Sequence, residues 1–262
     1  MNAKTKVNFF IGNALLWALL GACASQQSPA PKQSPASQPA AKAETPKQHA
    51  KPGHHHRAHH HLGPKDHKGS MPHRFANAEK WAKRFESSKR AMWQKPMAVI
   101  SKMKLTPKMH IADIGSATGY FAVRFAKAVP QGKVLGIDIE TDMVRYLNQR
   151  ARKEGLKNLV SHQGRANDPN LNQAVDVIFV CDTYHHISGR IAYFKRLLPK
   201  LNEGGRLVIV DFKLGKIPVG PPENHRIAPV QLDKELSAAG YQRLSVDAST
   251  LPYQYIAIYG RK

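Results

Sequence analysis

Cysteine is almost absent from this chain, with two in 262 residues. Cys23 lies near the N-terminus and Cys181 inside an apolar run, so no disulfide framework is expected. Cys181 reads as a small buried hydrophobe. Acidic residues are scarce too, 18 against 40 Lys and Arg, for a formal charge of +22. Residues 71–262 carry most of the excess, with 31 basic against 16 acidic side chains, or +15. Such a surface attracts anionic membranes or nucleic acid. A basic stripe interleaved with aromatics is missing, however, so nucleic acid is not an expected partner. The apolar stretch Val7–Leu20 is too short to span a bilayer as a permanent helix.

That stretch follows Lys4 and Lys6 and reads as the apolar region of a signal peptide over residues 1–22. The next residues, Leu20-Gly21-Ala22-Cys23, resemble a bacterial lipobox. The resemblance implies a lipidated Cys23, a membrane tether and a place in the cell envelope; an unused signal would leave the protein in the cytoplasm. Residues 23–70 are rich in Pro, Ala, Gln and Ser, then in His (His49, His54–His56, His59–His61, His67). They have little to bury and read as a disordered linker. The imidazoles can bind transition metals loosely, but no fixed ligand spacing defines a metal site.

Beyond residue 71 the composition becomes that of a globular domain. About 190 residues suffice for one α/β core, burying on the order of 70% of the unfolded surface. Two amphipathic helices, broken near Ser87-Ser88, are expected before the first strand. Strands then alternate with helices: Met109–Ile114, Val134–Ile139, Leu159–Gln163, Val175–Asp182 and Arg206–Phe212 read as strands. Helices are expected from Gly119 to Pro130, over 142–154, over 191–201 and over 229–239, with a turn at Glu203-Gly204-Gly205. This alternation predicts a parallel sheet with helices on both faces. Two final strands, Tyr241–Val246 and Tyr253–Tyr259, are joined by too few residues for a parallel crossover, so they must be antiparallel. The expected architecture is a Rossmann-like, seven-stranded, mostly parallel sheet whose last strand is reversed.

The informative stretch is Asp113-Ile114-Gly115-Ser116-Ala117-Thr118-Gly119-Tyr120-Phe121, where the first strand turns into a helix. Open α/β sheets bind ligands there. Gly115 and Gly119 permit a tight turn and a close approach to a ligand. A dinucleotide fingerprint would read G-x-G-x-x-G, but Ala117 and Tyr120 occupy its second and third glycine positions. Asp113 would repel a pyrophosphate and welcome a cation. Asp138, nineteen residues after Gly119, ends the second strand, where a carboxylate can accept both hydroxyls of a ribose.

With these residues the chain resembles the class I methyltransferase superfamily, over roughly Phe75 to Gly260, through D-I-G-S-A-T-G-Y-F, V-D-V-I-F-V-C-D-T-Y-H-H and E-G-G-R-L-V-I-V-D-F. It looks most like bacterial enzymes that modify small molecules, including quinones and phospholipids. The resemblance implies S-adenosylmethionine as cofactor. Asp113, Gly115, Ser116, Ala117, Gly119 and Tyr120 would line its methionine and ribose, and Asp138 would hold the ribose. Ile139 and Met143 would flank the adenine, Arg165, Ala166, Asn167 and Asp168 would meet its amine, and Asp182 to His185 would lie beside the methyl. One departure is Ala117, where the family usually has glycine.

Methyl transfer needs in-line positioning, and a base only when the acceptor carries a proton. Tyr184, His185 and His186 leave the fourth strand at the crevice and are the candidate catalytic residues, His185 foremost. Asp211, Lys213, Glu223 and His225 are candidate contacts to a small-molecule acceptor. A cytoplasmic cofactor conflicts with an envelope address. The alternative is therefore a non-catalytic envelope lipoprotein that uses this fold to bind a ligand or metal.

Overall fold

A computed structural model describes Phe75 and residues 77–262. The signal peptide, the lipobox-like Cys23, the linker over 23–70 and its histidine tract lie outside the described residues. Three short helices come first: α1 (Ala78–Phe85), α2 (Ser88–Gln94) and α3 (Pro96–Lys102). Two helices were expected here; the second divides at Lys95, which adopts φ 42° ahead of Pro96. Proline lacks an N–H and excludes the helical conformation from the residue before it, so the break is local chemistry.

The strands are β1 (His110–Ile114), β2 (Lys133–Asp138), β3 (Leu159–Gln163), β4 (Val175–Cys181), β5 (Leu201–Phe212), β6 (Tyr241–Asp247) and β7 (Gln254–Arg261). Between them lie α4 (Ala122–Ala128), α5 (Thr141–Lys153), α6 (Arg190–Leu197) and α7 (Pro229–Ala238). The sheet order is β3-β2-β1-β4-β5-β7-β6, with β7 antiparallel to both neighbours and the remaining pairs parallel. This is the expected architecture. Strand β4 lies at its centre and feeds two cores. Ile178 and Val180 join one with Phe194 and Leu236; Val177 and Phe179 join the other with Phe121 and Phe125. Alternation along a strand puts successive side chains on opposite faces, and each such burial contributes about 1.5–3 kcal/mol.

The Glu203-Gly204-Gly205 turn is instead absorbed into β5. Pairing with β4 jumps from Val175↔Leu201 to Val177↔Arg206, so the extra residues bulge out, with Gly204 at φ 69°. Helix α4 starts at Ala122 rather than Gly119, because the preceding turn is not helical.

That turn positions the site. Gly115 and Ser116 donate their N–H groups to the Ile137 carbonyl at 2.7 and 3.1 Å, which ties the end of β1 to β2. Gly115, Ala117 and Gly119 all have left-handed φ values, 74°, 46° and 89°. Both glycines also allow a close approach of neighbouring protein side chains. A Cβ on Gly115 would lie 2.2 Å from Thr183 Oγ1, and one on Gly119 2.3 Å from Leu147 Cδ1. Opposite substitutions therefore have opposite effects. Gly119→Ala adds an overlap and an unfavourable φ and should lower stability by about 3 kcal/mol. Ala117→Gly removes an unfavourable φ and should raise it by about 0.5–1 kcal/mol after the cost of a freer unfolded chain. Urea unfolding of both variants checks this; a destabilised Ala117→Gly would contradict the turn geometry.

Candidate functional site

The C-terminal ends of β1 and β4 border a small crevice of about 30 Å³. Asp113, from β1, is its buried acid, 3% exposed. Desolvation, followed by the charge of Asp138, pushes its pKa up to about 7, against the opposing pull of Arg90 and the Ala122 N–H. Beside it in the crevice lie Ser116 and Tyr120. Their hydroxyls, Ser116 Oγ and Tyr120 Oη, are buried without a hydrogen-bond partner. Buried polar groups are nearly always paired, so two orphans next to one buried acid mark a place suited to a polar ligand. A wider groove of about 520 Å³ runs between Gly204 and Lys262 at the opposite end of β5. Among its lining residues no titratable side chain is buried.

Asp138 already has structural work. Its Oδ2 accepts the Ala117 N–H at 2.9 Å and its Oδ1 the Glu140 N–H at 3.0 Å. Each oxygen keeps a further lone pair. Burial raises its pKa while these N–H groups lower it. Ile139 follows, 54% exposed, whereas Met143 is buried on the inner side of α5. The turn after β3 comes back to Asp138, whose carbonyl accepts the Gly164 N–H at 2.9 Å. Arg165 and Asp168 pair there through their backbones. Asn167 is exposed, and Asp168 Oδ1 accepts the Asn170 N–H at 2.8 Å.

Asp182 is placed at the crevice end of β4, with φ 55°, but its carboxylate is engaged. Oδ2 accepts from Gln94 Nε2 at 3.1 Å and from Arg90 Nη2 at 3.3 Å, and Oδ1 accepts from Gln254 Nε2. Gln94 also donates to Cys181 Sγ and to Gln254 Oε1. Burial raises the pKa of Asp182, with Arg90 opposing. This cluster fastens α2 to the sheet. Its members Arg90, Gln94 and Gln254 escaped the sequence reading. They are far apart in the chain and belong to no local motif, and the helix bearing the first two read simply as amphipathic.

Tyr184 is not at the crevice. It is fully buried, stacks on Phe194 with ring centroids 5.0 Å apart, and donates its hydroxyl to Glu235 Oε2 at 2.6 Å. The 3-10 turn Tyr184–His186 aims it into the core that α6 and α7 cover, while its neighbour faces β5. That neighbour, His185, holds Asp211 Oδ1 and Oδ2 through Nδ1 at 2.9 and 3.1 Å. Asp211 is fully buried. Burial alone would depress the His185 pKa, but the Asp211 and Asp182 charges outweigh it and raise the value above normal. The His186 ring lies 4.2 Å from that of His185 and 6.2 Å from Phe75. Of the other candidate acceptor contacts, Lys213 Nζ donates to the Leu251 and Pro252 carbonyls, and Glu223 Oε1 accepts the Gly215 N–H. These two order the loop after β5. His225 lies in that loop's 3-10 turn.

Comparison with known proteins gives the family. Residues 105–243 match the model of a family described as a methyltransferase domain. An uncharacterized methyltransferase of Bacillus subtilis is 27% identical over 110 residues, 42% of this chain and 43% of the relative. The 27-O-demethylrifamycin SV methyltransferase of Amycolatopsis mediterranei is 30% identical over 112 residues, 42% of this chain and 41% of that one. The match thus spans about two-fifths of these curated relatives' length. Among solved structures, a SAM-dependent methyltransferase from Aquifex aeolicus superposes with a TM-score of 0.64 at 24% identity, over 70% of this chain and 97% of that one. With more than half of its residues inside the matched model and the fold alike, the chain belongs to the methyltransferase-domain family.

Proposed function

We propose that this protein is an S-adenosylmethionine-dependent methyltransferase acting on a small, proton-bearing acceptor. The observation that carries the reading is the buried Asp113 beside the unpartnered Ser116 and Tyr120 hydroxyls. A carboxylate kept out of water favours a cationic guest and opposes a diphosphate. Bound there, the cofactor supplies an electrophilic methyl group on a sulfonium. Asp113 would hold the ammonium of its amino-acid end. The lone pairs left on Asp138 suit two ribose hydroxyls, and the exposed Ile139 suits an adenine face. Met143 supports that wall from beneath, and Asn167 and Asp168 stand beyond Asp138 for the adenine amine. Asp182 acts on the site by holding α2, and Tyr184 takes no part.

For a hydroxyl acceptor, His185 would take the departing proton through Nε2 while Asp211 fixes its ring through Nδ1. Buried carboxylate support of this kind orients an imidazole and stabilises its protonated form. The names of curated relatives, rifamycin and trans-aconitate methyltransferases, support a small-molecule acceptor. The lipobox-like Leu20–Cys23 favours an envelope-tethered enzyme and a quinone- or lipid-like acceptor.

Two measurements test the reading. Affinity for S-adenosylmethionine, titrated calorimetrically, should fall as pH drops below about 7. Protonation there discharges Asp113, with a limiting slope of about tenfold per pH unit. Asp113→Asn should bind weakly with a flat profile; a steep profile in that variant would remove Asp113 from the site. His185→Gln should lower kcat about 100-fold on a phenol or other hydroxyl acceptor. Cofactor affinity should not change in that variant, and unaltered turnover would exclude His185 as the base.

A further inference from the structure

Helix α2 precedes the span matched by the family model, yet it delivers a cation into the crevice. Arg90 lines the same cavity as Asp113, Ser116 and Tyr120. Its guanidinium lies 4.1 Å from the centroid of the Tyr120 ring. Nη2 faces Asp182 Oδ2 at 3.3 Å, Nη1 donates to the Phe85 carbonyl at 3.2 Å, and Nε donates to Gln94 Oε1. A guanidinium carries five N–H groups, so two remain for a ligand. Packing on Tyr120 and the three protein contacts hold the group in one orientation. Gln94, buried and bonded to Asp182, Cys181 and Gln254, holds the helix that carries it.

Of the residues that line the crevice, Asp113 and Arg90 carry the charge. Asp182, outside that lining, is engaged by three protein donors, whereas Asp113 and Arg90 face the same space with capacity to spare. Their natural complement is a zwitterion, with an ammonium for Asp113 and a carboxylate for Arg90. We infer that Arg90 binds the carboxylate of the cofactor's amino-acid end, through the N–H groups its protein contacts leave free. The inference rests on the proposed cofactor. A planar fork meeting a carboxylate makes charge-assisted bonds that a lysine cannot reproduce. In the competing account, Arg90 merely latches α2 to Asp182 and has no ligand.

Calorimetric titration of the full chain separates the two with a pair of probes, S-adenosylmethionine and its decarboxylated analogue, which lacks only the carboxylate. The wild-type protein should prefer the intact cofactor by about 30-fold, the scale of a hydrogen-bonded charge. Arg90→Ala should lose affinity for the intact cofactor by about that factor and bind the analogue as before, so that the preference vanishes. Arg90→Lys should keep part of it. Arg90→Met, which keeps an unbranched apolar stem, repeats the measurement if the alanine variant does not fold. Equal loss for both probes, or no loss for either, would overturn the carboxylate role and leave Arg90 a latch. A wild-type protein that binds neither probe refutes the cofactor reading itself, and this inference with it. Binding of both probes equally by the wild type refutes the Arg90 inference alone.

Discussion

The geometry of the crevice depends on one carboxylate. Asp138 ends β2 and receives the Ala117 N–H from the turn after β1 and the Glu140 N–H from the start of α5. Two strand-to-helix connections therefore converge on a single side chain. The bond to Ala117 helps to hold a non-glycine residue in left-handed backbone, and that conformation directs the turn past Asp113. Asp138 thereby builds the wall against which a ligand would lie, since its removal would strand two N–H groups at the crevice edge.

Charge works in opposite senses outside and inside the domain. Residues 71–262 carry +15, yet the ends of β1, β2 and β4 that meet beside the crevice bring Asp113, Asp138 and Asp182, of which Asp113 lines it together with Arg90. The basic exterior is therefore a poor guide to the ligand. Burial makes the difference: a few acids removed from water, at 3% exposure for Asp113, determine what the site accepts far more than many solvated lysines do. The same economy appears at His185, whose partner Asp211 is fully enclosed in β5. One buried pair thus fixes a ring that the sequence alone presents as one of two adjacent histidines.

Much of this was legible in the chain. Strand alternation, the short β6–β7 connection and the DIGSATGYF turn specify the sheet, its reversed strand and the strand-to-helix turn, because each is a local pattern with a local cause. That turn carries Asp113, Ser116 and Tyr120, which line the crevice, and Asp138 ends the neighbouring strand. What was not legible depends on residues distant in the chain. Gln94 meets Gln254 across 160 positions, and Arg90 meets Asp182 across 92. Tyr184 and His185 are adjacent, yet the 3-10 turn sends one into the core and the other to Asp211. No periodicity distinguishes them. Ala117 is an intermediate case: its departure from glycine was visible, but its positive φ, and hence its cost, required coordinates.

The central claim is that a buried acid selects a sulfonium donor over a diphosphate. Calorimetric competition on the full chain at pH 8, with S-adenosylmethionine and a nicotinamide dinucleotide offered separately and together, addresses it directly. The account predicts saturable heat with S-adenosylmethionine that an excess of the dinucleotide leaves unchanged. Saturable binding of the dinucleotide, with none of the sulfonium compound, would contradict it.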